Sequence, residues 1–216
     1  MLVFDSVAAG DFDNGYLKEK LADYWRYKFL KSLDIKDNDA GVEVRLVPVI
    51  NGVPDTNAIQ SKLINGKYEF EEGDVVAVWV KNNTNKNVWV NILDLNPTGQ
   101  IASLWPNTTD FDPPIPPDAC MARSHGSLFS KSGQYLYTRP PYGNDVLKIF
   151  VADTVINMEK IATSGTRGID DGNLGVLEQL VNDAYKTRDF SQAHAPATAH
   201  GSTFNLLFGI KPKRTK

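Results

Sequence analysis

The chain has 216 residues, 42% hydrophobic, 23% charged and 10% aromatic, with a formal net charge of -3. At that length roughly 70% of the unfolded surface is buried on folding, so no disulfide or structural metal is needed. One cysteine and three histidines exclude an intrachain disulfide framework and a multi-cysteine zinc site, and the acidic balance argues against a general nucleic-acid binder.

Reading from the start, Met1-Leu2-Val3-Phe4-Asp5 has no basic region of the kind that opens a secretory signal. No apolar run in the chain approaches the roughly 18 residues of a membrane-spanning helix. A soluble protein is expected, with cytoplasmic as the default and no membrane partner. The first element is a helix from about Gly15 to Leu33. Leu17, Leu21, Tyr24, Trp25, Phe29 and Leu33 recur at helical steps, while Lys18, Glu19, Lys20, Asp23 and Lys31 fill the other face. Asp13 or Asn14 is placed to cap it, and the polar stretch 34–41 ends it.

From Val42 the period changes to two. Val42, Val44, Leu46 and Pro48 alternate with Glu43, Arg45, Val47 and Val49. Asn51-Gly52-Val53-Pro54 reads as a linker. Tyr68–Glu71 and Asp74–Lys81 read as strands separated near Gly73, and Val88–Leu95 as the hairpin partner of the second, across the polar turn 82–87. Asn96-Pro97-Thr98-Gly99 is a turn, with proline suited to its second position. Ile101–Trp105, Gln134–Thr138, Val146–Ala152 and Thr203–Ile210 are further strands, and 174–186 a second helix. The fold class that follows is mainly β. An antiparallel β-sandwich carries an N-terminal amphipathic helix and one further helix near the C-terminus. The chain divides into a helical arm, residues 1–41, and a sandwich, residues 42–216.

The side chains that bear chemistry are few. Cys120 and His125 are five residues apart, but Asp118-Ala119-Cys120-Met121 is no nucleophile signature, and the pair reads as a buried thiol and a loop histidine. Ser124-His125-Gly126-Ser127 lacks the spacing of a nucleophile elbow. Asp37–Gly41 and Asp11–Gly15 each match part of a calcium loop without its closing glutamate, so no metal site is assigned. Arg167 in Gly165-Thr166-Arg167-Gly168 is a candidate anion contact. Lys211, Lys213, Arg214 and Lys216 read as a solvated terminus. The aromatic residues Trp79, Trp89, Trp105, Tyr135, Tyr137 and Tyr142 are candidates for a peptide or glycan platform. No catalytic residue and no cofactor is assigned.

Several ordered motifs resemble an uncharacterised β-rich domain that commonly follows the caspase-like (metacaspase or orthocaspase) peptidase domain in bacterial proteins. Phe70-Glu71-Glu72-Gly73-Asp74 is similar to its F-x-x-G-D opening. Val88–Leu95, Asn96-Pro97-Thr98-Gly99 and Leu104-Trp105-Pro106-Asn107 resemble its strand, P-x-G turn and L-[YFW]-P-N ending. Pro140-Pro141-Tyr142-Gly143-Asn144-Asp145 is similar to its P-P-x-G-x-D step, and Leu21–Leu30 resembles its joining helix. The resemblance implies a non-catalytic accessory module that recognises or regulates a protein partner, such as a caspase-like peptidase domain. The alternatives are the C-terminal part of a cysteine peptidase and a stand-alone sandwich that binds a peptide or glycan. The Pro113–Pro117 loop lies outside the family pattern.

Overall fold

The structure, a computed structural model, describes residues 14–35, 41–105, 114–117, 120–122, 135–153 and 201–213. Among these residues the chain is mainly β, with two sheets and two α-helices. Helix α1 (Asn14–Ser32) precedes β1 (Val42–Ile50) and β2 (Val53–Pro54). A single 3-10 turn then leads into α2 (Ile59–Lys62), β3 (Leu63–Ile64), β4 (Lys67–Glu71) and β5 (Val75–Asn82). The remaining strands are β6 (Trp89–Leu95), β7 (Ile101–Trp105), β8 (Cys120–Ala122), β9 (Leu136–Tyr137), β10 (Gly143–Ala152) and β11 (Gly201–Lys211). The first sheet runs β2-β1-β5-β8, with β9 also on β5. The second runs β3-β4-β11-β10-β6-β7.

The period-two pattern decides what each sheet buries. Val44 and Leu46 of β1 and Val76, Val78 and Val80 of β5 share one core with Phe70, Val90, Ile92, Leu147, Ile149 and Val151 from the second sheet. On β10 and β6 the alternate residues turn the other way. Val146, Phe150, Ala152, Leu93 and Leu95 form a second core with Phe29, Leu30, Leu33 and Ile35. The centre of the second sheet is thus buried on both faces, which is why Val146–Ala152 reads as an almost continuous apolar run. Burying a side chain such as Leu30 contributes about 1.5–3 kcal/mol, more than any single helix propensity term.

The C-terminal end of α1 is fixed by hydrogen bonds as well. Lys148 Nζ and Thr203 Oγ1 both donate to the Leu33 carbonyl, and the Ile35 N–H donates to Thr203 Oγ1 at 2.9 Å. Thr203 N–H donates to the Ile35 carbonyl at 2.8 Å. Carbonyls at a helix end lack partners within the helix, and here β10 and β11 supply them.

Four expectations are corrected. The strands Val75–Asn82 and Val88–Leu95 do not form a hairpin: β5 belongs to the first sheet and β6 to the second. Each gains more from a long non-local partner. β5 pairs with β1 from Val76 to Asn82, and β6 with β10 from Trp89 to Leu95. Asn82 holds the crossing. Its Nδ2 lies 2.7, 2.9 and 3.1 Å from the carbonyls of Lys86, Ile115 and Pro116, and its Oδ1 accepts from Thr84 N at 2.9 Å.

The sheets are not purely antiparallel. β4 and β11 pair in parallel, Phe208 opposite Tyr68 and Ile210 opposite Phe70, as strands far apart in sequence are free to do because no tight turn joins them. Asn51-Gly52 is not a linker but the turn of the short β1–β2 hairpin, with both residues in the left-handed region. Among the described side chains of α1, the apolar stripe is buried toward the C-terminal end: Leu21 and Trp25 are 38% and 48% exposed, whereas Phe29, Leu30 and Leu33 are buried. The second helix expected over 174–186 lies outside the described residues, as does most of the Pro113–Pro117 loop's surroundings.

Candidate functional site

Three turns singled out in the sequence meet at one end of the two sheets. In Phe70-Glu71-Glu72-Gly73-Asp74, Phe70 is buried in the shared core and Gly73 takes φ 87°, a left-handed angle that suits glycine. The Asp74 carboxylate accepts from the Glu71 N–H at 3.0 Å and from Lys62 Nζ at 2.5 Å. The carbonyls of Glu71 and Asp74 accept from Thr138 Oγ1 at 2.7 and 3.0 Å, and Thr138 N–H donates to the Asp74 carbonyl at 3.0 Å. This turn therefore positions the segment 137–141.

The second turn is Asn96-Pro97-Thr98-Gly99. Gly99 N–H donates to the Asn96 carbonyl at 3.1 Å, closing the turn across Pro97. Asn96 Oδ1 accepts from Thr98 N and Gln100 N, each at 3.0 Å. The third is Pro140-Pro141-Tyr142-Gly143. Gly143 has φ 141°, and a Cβ there would lie 3.0 Å from Pro97 Cβ. Glycine is required because the two turns touch at that point. Lys67 Nζ donates to Asn144 Oδ1 at 3.0 Å, fastening the start of β10 to β4.

Between these turns lies a cavity of about 180 Å³. Phe70, Val76 and Leu147 form part of its apolar wall, and Tyr137, Arg139, Pro140 and Pro141 line its exposed side. Asp94 of β6 and Asp145 of β10 also line it. In the register Asp94 stands opposite Leu147, so Asp145 is its diagonal neighbour on the same face as Ile92 and Ile149. Diagonal pairs of this kind sit about 7–8 Å apart.

The two carboxylates are in an unusual electrostatic position. Asp145 is only 3% exposed. Oδ1 of Asp94 and Oδ1 of Asp145 are buried without a hydrogen-bond partner, and no ion pair reaches either carboxylate among the described residues. Burial, helped by repulsion from Asp145, raises the Asp94 pKa to about 7. Burial alone raises Asp145 to about 6. The Tyr27 phenol on α1 is raised as well, first by burial and then by the fields of Asp145 and Asp94. Two acids that change charge near neutrality inside an apolar cavity can hold a cation between them or exchange protons with a bound group.

The residues chosen from the sequence are scattered by comparison. Trp79 lies in the first sheet with the Arg45 guanidinium 5.1 Å from its ring centre, while Trp89 lies in the second sheet opposite Ala152. They do not form a shared aromatic platform. Tyr135 donates to the Gly52 carbonyl at 3.0 Å, and Tyr142 to Glu72 Oε2 at 2.7 Å. That carboxylate keeps the Tyr142 phenol protonated above its ordinary range. Trp105 ends β7, and Cys120 lies in β8 opposite Lys81. Arg167 and His125 lie outside the described residues. Among the described residues no group of three or more His, Cys, Asp or Glu side chains is placed to hold a metal. No helix among them is long and apolar enough to cross a membrane.

Asp94 and Asp145 are not among the candidates that the sequence offers, whereas Tyr137 is one of its aromatic candidates. A signal for Asp94 is present there: Val90, Ile92 and Asp94 share parity in one strand, so an acid falls on a core-facing position. Comparison of the chain with protein-family models, with curated proteins and with solved structures returns no match. The likeness to the caspase-associated domain rests on the quoted motifs alone.

Proposed function

We propose that this chain is a non-catalytic recognition module, a β-sandwich carrying a helix on one outer face, that binds a polypeptide partner and works beside a caspase-like peptidase. The observation that carries the reading is the convergence of three turn motifs on one cavity whose exposed side is Tyr137, Arg139, Pro140 and Pro141. Turn chemistry held by this many hydrogen bonds fixes a surface in place, and aromatic side chains on a rigid surface are the usual anchors of recognition.

The test is a display library of short peptides selected on the purified chain, followed by titration of the selected peptides and of the caspase-like peptidase from the same cell. Tyr137→Ala is expected to weaken binding by about tenfold or more. Hydrolysis of Arg- or Lys-containing peptides by the purified chain, abolished by Cys120→Ala, would overturn the reading.

A further inference from the structure

We infer that the Asp94–Asp145 cavity receives one organic cation, an alkylammonium or guanidinium group on an aliphatic stem, with the cation between the two carboxylates and the stem against Phe70, Val76 and Leu147.

A buried charge is normally paired. Asp145 is 97% buried by its 3% exposure, lines the cavity, and leaves Oδ1 without a partner, as Asp94 does. Two nearby lysines are engaged elsewhere, and Arg139, a cation in the cavity lining itself, forms no ion pair with either acid among the described residues. Lys62 pairs with Asp74, Lys67 with Glu69, and the Arg139 guanidinium lies 6.0 Å from the Tyr137 ring centre. A site with two unpaired acids and apolar walls is complementary to a cation whose remainder is apolar.

Size agrees. A cavity near 150 Å³ takes a benzene-sized guest, so about 180 Å³ admits a four-carbon stem with its charged head. Carboxylates on diagonal cross-strand neighbours, about 7–8 Å apart at their stems, leave room for a single nitrogen centre within hydrogen-bonding reach of both. A small divalent ion is a poorer match. Asn96 Oδ1, one of the neutral oxygens of the lining, already accepts from Thr98 and Gln100, and a hard cation wants six or more oxygens.

The charged and titratable groups around the site are Asp94 on β6, Asp145 on β10, Tyr27 on α1, Tyr137 on β9 and Arg139 after β9. The lining residues of β4, β5 and β11, namely Phe70, Val76, Phe208 and Ile210, carry no charge.

This inference deepens the recognition reading, since a lysine or arginine side chain of a partner is one source of such a cation and a free amine the other. The experiment is a set of NMR titrations of the full chain with n-butylammonium, n-butylguanidinium, n-butanol, calcium, and capped tripeptides centred on lysine, arginine or norleucine. The expected result is saturable binding of the cations, at least tenfold weaker binding of n-butanol, and a loss of at least tenfold in Asp94→Asn and in Asp145→Asn. Wild-type affinity for butylammonium should also rise at least tenfold from pH 5 to pH 8, a readout that needs no variant. Equal binding of n-butanol, calcium binding without butylammonium binding, or no saturable shift overturns the inference. If library-selected peptides bind through Tyr137 while the cations do not, only the cation assignment falls. If butylammonium binds and no peptide does, the cavity is an amine site and polypeptide recognition falls instead.

Discussion

The Lys148 ammonium, 1% exposed in the middle of β10, donates to the carbonyl of Leu33 at the end of α1. A cation at a helix C-terminus complements both the unpaired carbonyls and the helix dipole. The arrangement has a cost: burial lowers the Lys148 pKa to about 8, a fall that the Asp34 carboxylate partly offsets.

From pH 8 to 10.5 the unfolded chain therefore binds more protons at this lysine than the folded chain. Stability attributable to Lys148 rises with pH across that window and is lowest below it. Lys148→Met is expected to remove that rise while changing stability at pH 7 by about 1 kcal/mol or less, since a matched apolar side chain replaces a buried ion well. Lys148→Ala leaves a cavity beneath the helix and should cost about 2–4 kcal/mol. Urea unfolding of the three proteins from pH 7 to 9.5 checks both statements.

The acids act in the opposite direction. Asp94 and Asp145 have folded pKa values of about 7 and 6, above their ordinary 3.8. Between pH 4 and 7 the folded chain binds more protons, so their contribution to stability falls as pH rises and is lost above 7. Asp94→Asn should be near neutral at pH 4 and stabilising at pH 8 by on the order of 1–3 kcal/mol. Thermal melts at the two pH values read this difference, and equal shifts at both would count against an ionising Asp94.

Gly143 and Gly73 separate two kinds of glycine requirement. Gly73→Ala meets a left-handed φ but open space, so a cost of about 1–2 kcal/mol is expected. Gly143→Ala meets both the angle and Pro97, and should cost more, about 2–4 kcal/mol. Only the second should move the amide signals of Thr98 and Asp145, because only it pushes two turns apart.

Asn82→Ala tests the crossing between sheets. The substitution strips the buried carbonyl of Ile115 of its side-chain donor and frees Thr84. A loss of about 2–4 kcal/mol is expected from several buried hydrogen bonds. Hydrogen exchange should quicken at Val88 and Ile115, whose amides pair with each other's carbonyls, before it quickens at Val78.

Much of the local structure was legible before any coordinates. The strand of Val42–Ile50 follows from alternation, and the turns at Gly73 and Asn96–Gly99 from residues that accept particular backbone angles. Helical spacing predicts α1 to within a residue of its ends but not the extent of its buried face. Helical spacing shows which side chains share a face but not where a partner surface begins. Trp25 and Phe29 fit the same stripe, and only Phe29 meets the sheet. Asp94 and Asp145 are 51 positions apart in sequence, so nothing local announced that they would share one cavity.

The sequence by itself determined the elements and the turns, because φ preferences and the two periodicities act within a few residues. Only the tertiary structure decided the pairings: β5 with β1 and not β6, and β4 parallel to β11. Pairing is chosen by the apolar surface that distant strands bury together, a sum over the whole chain. The cavity belongs to that second kind of decision. Its walls come from both sheets and its acids from two strands, and burial in the assembled core is what raises their pKa values.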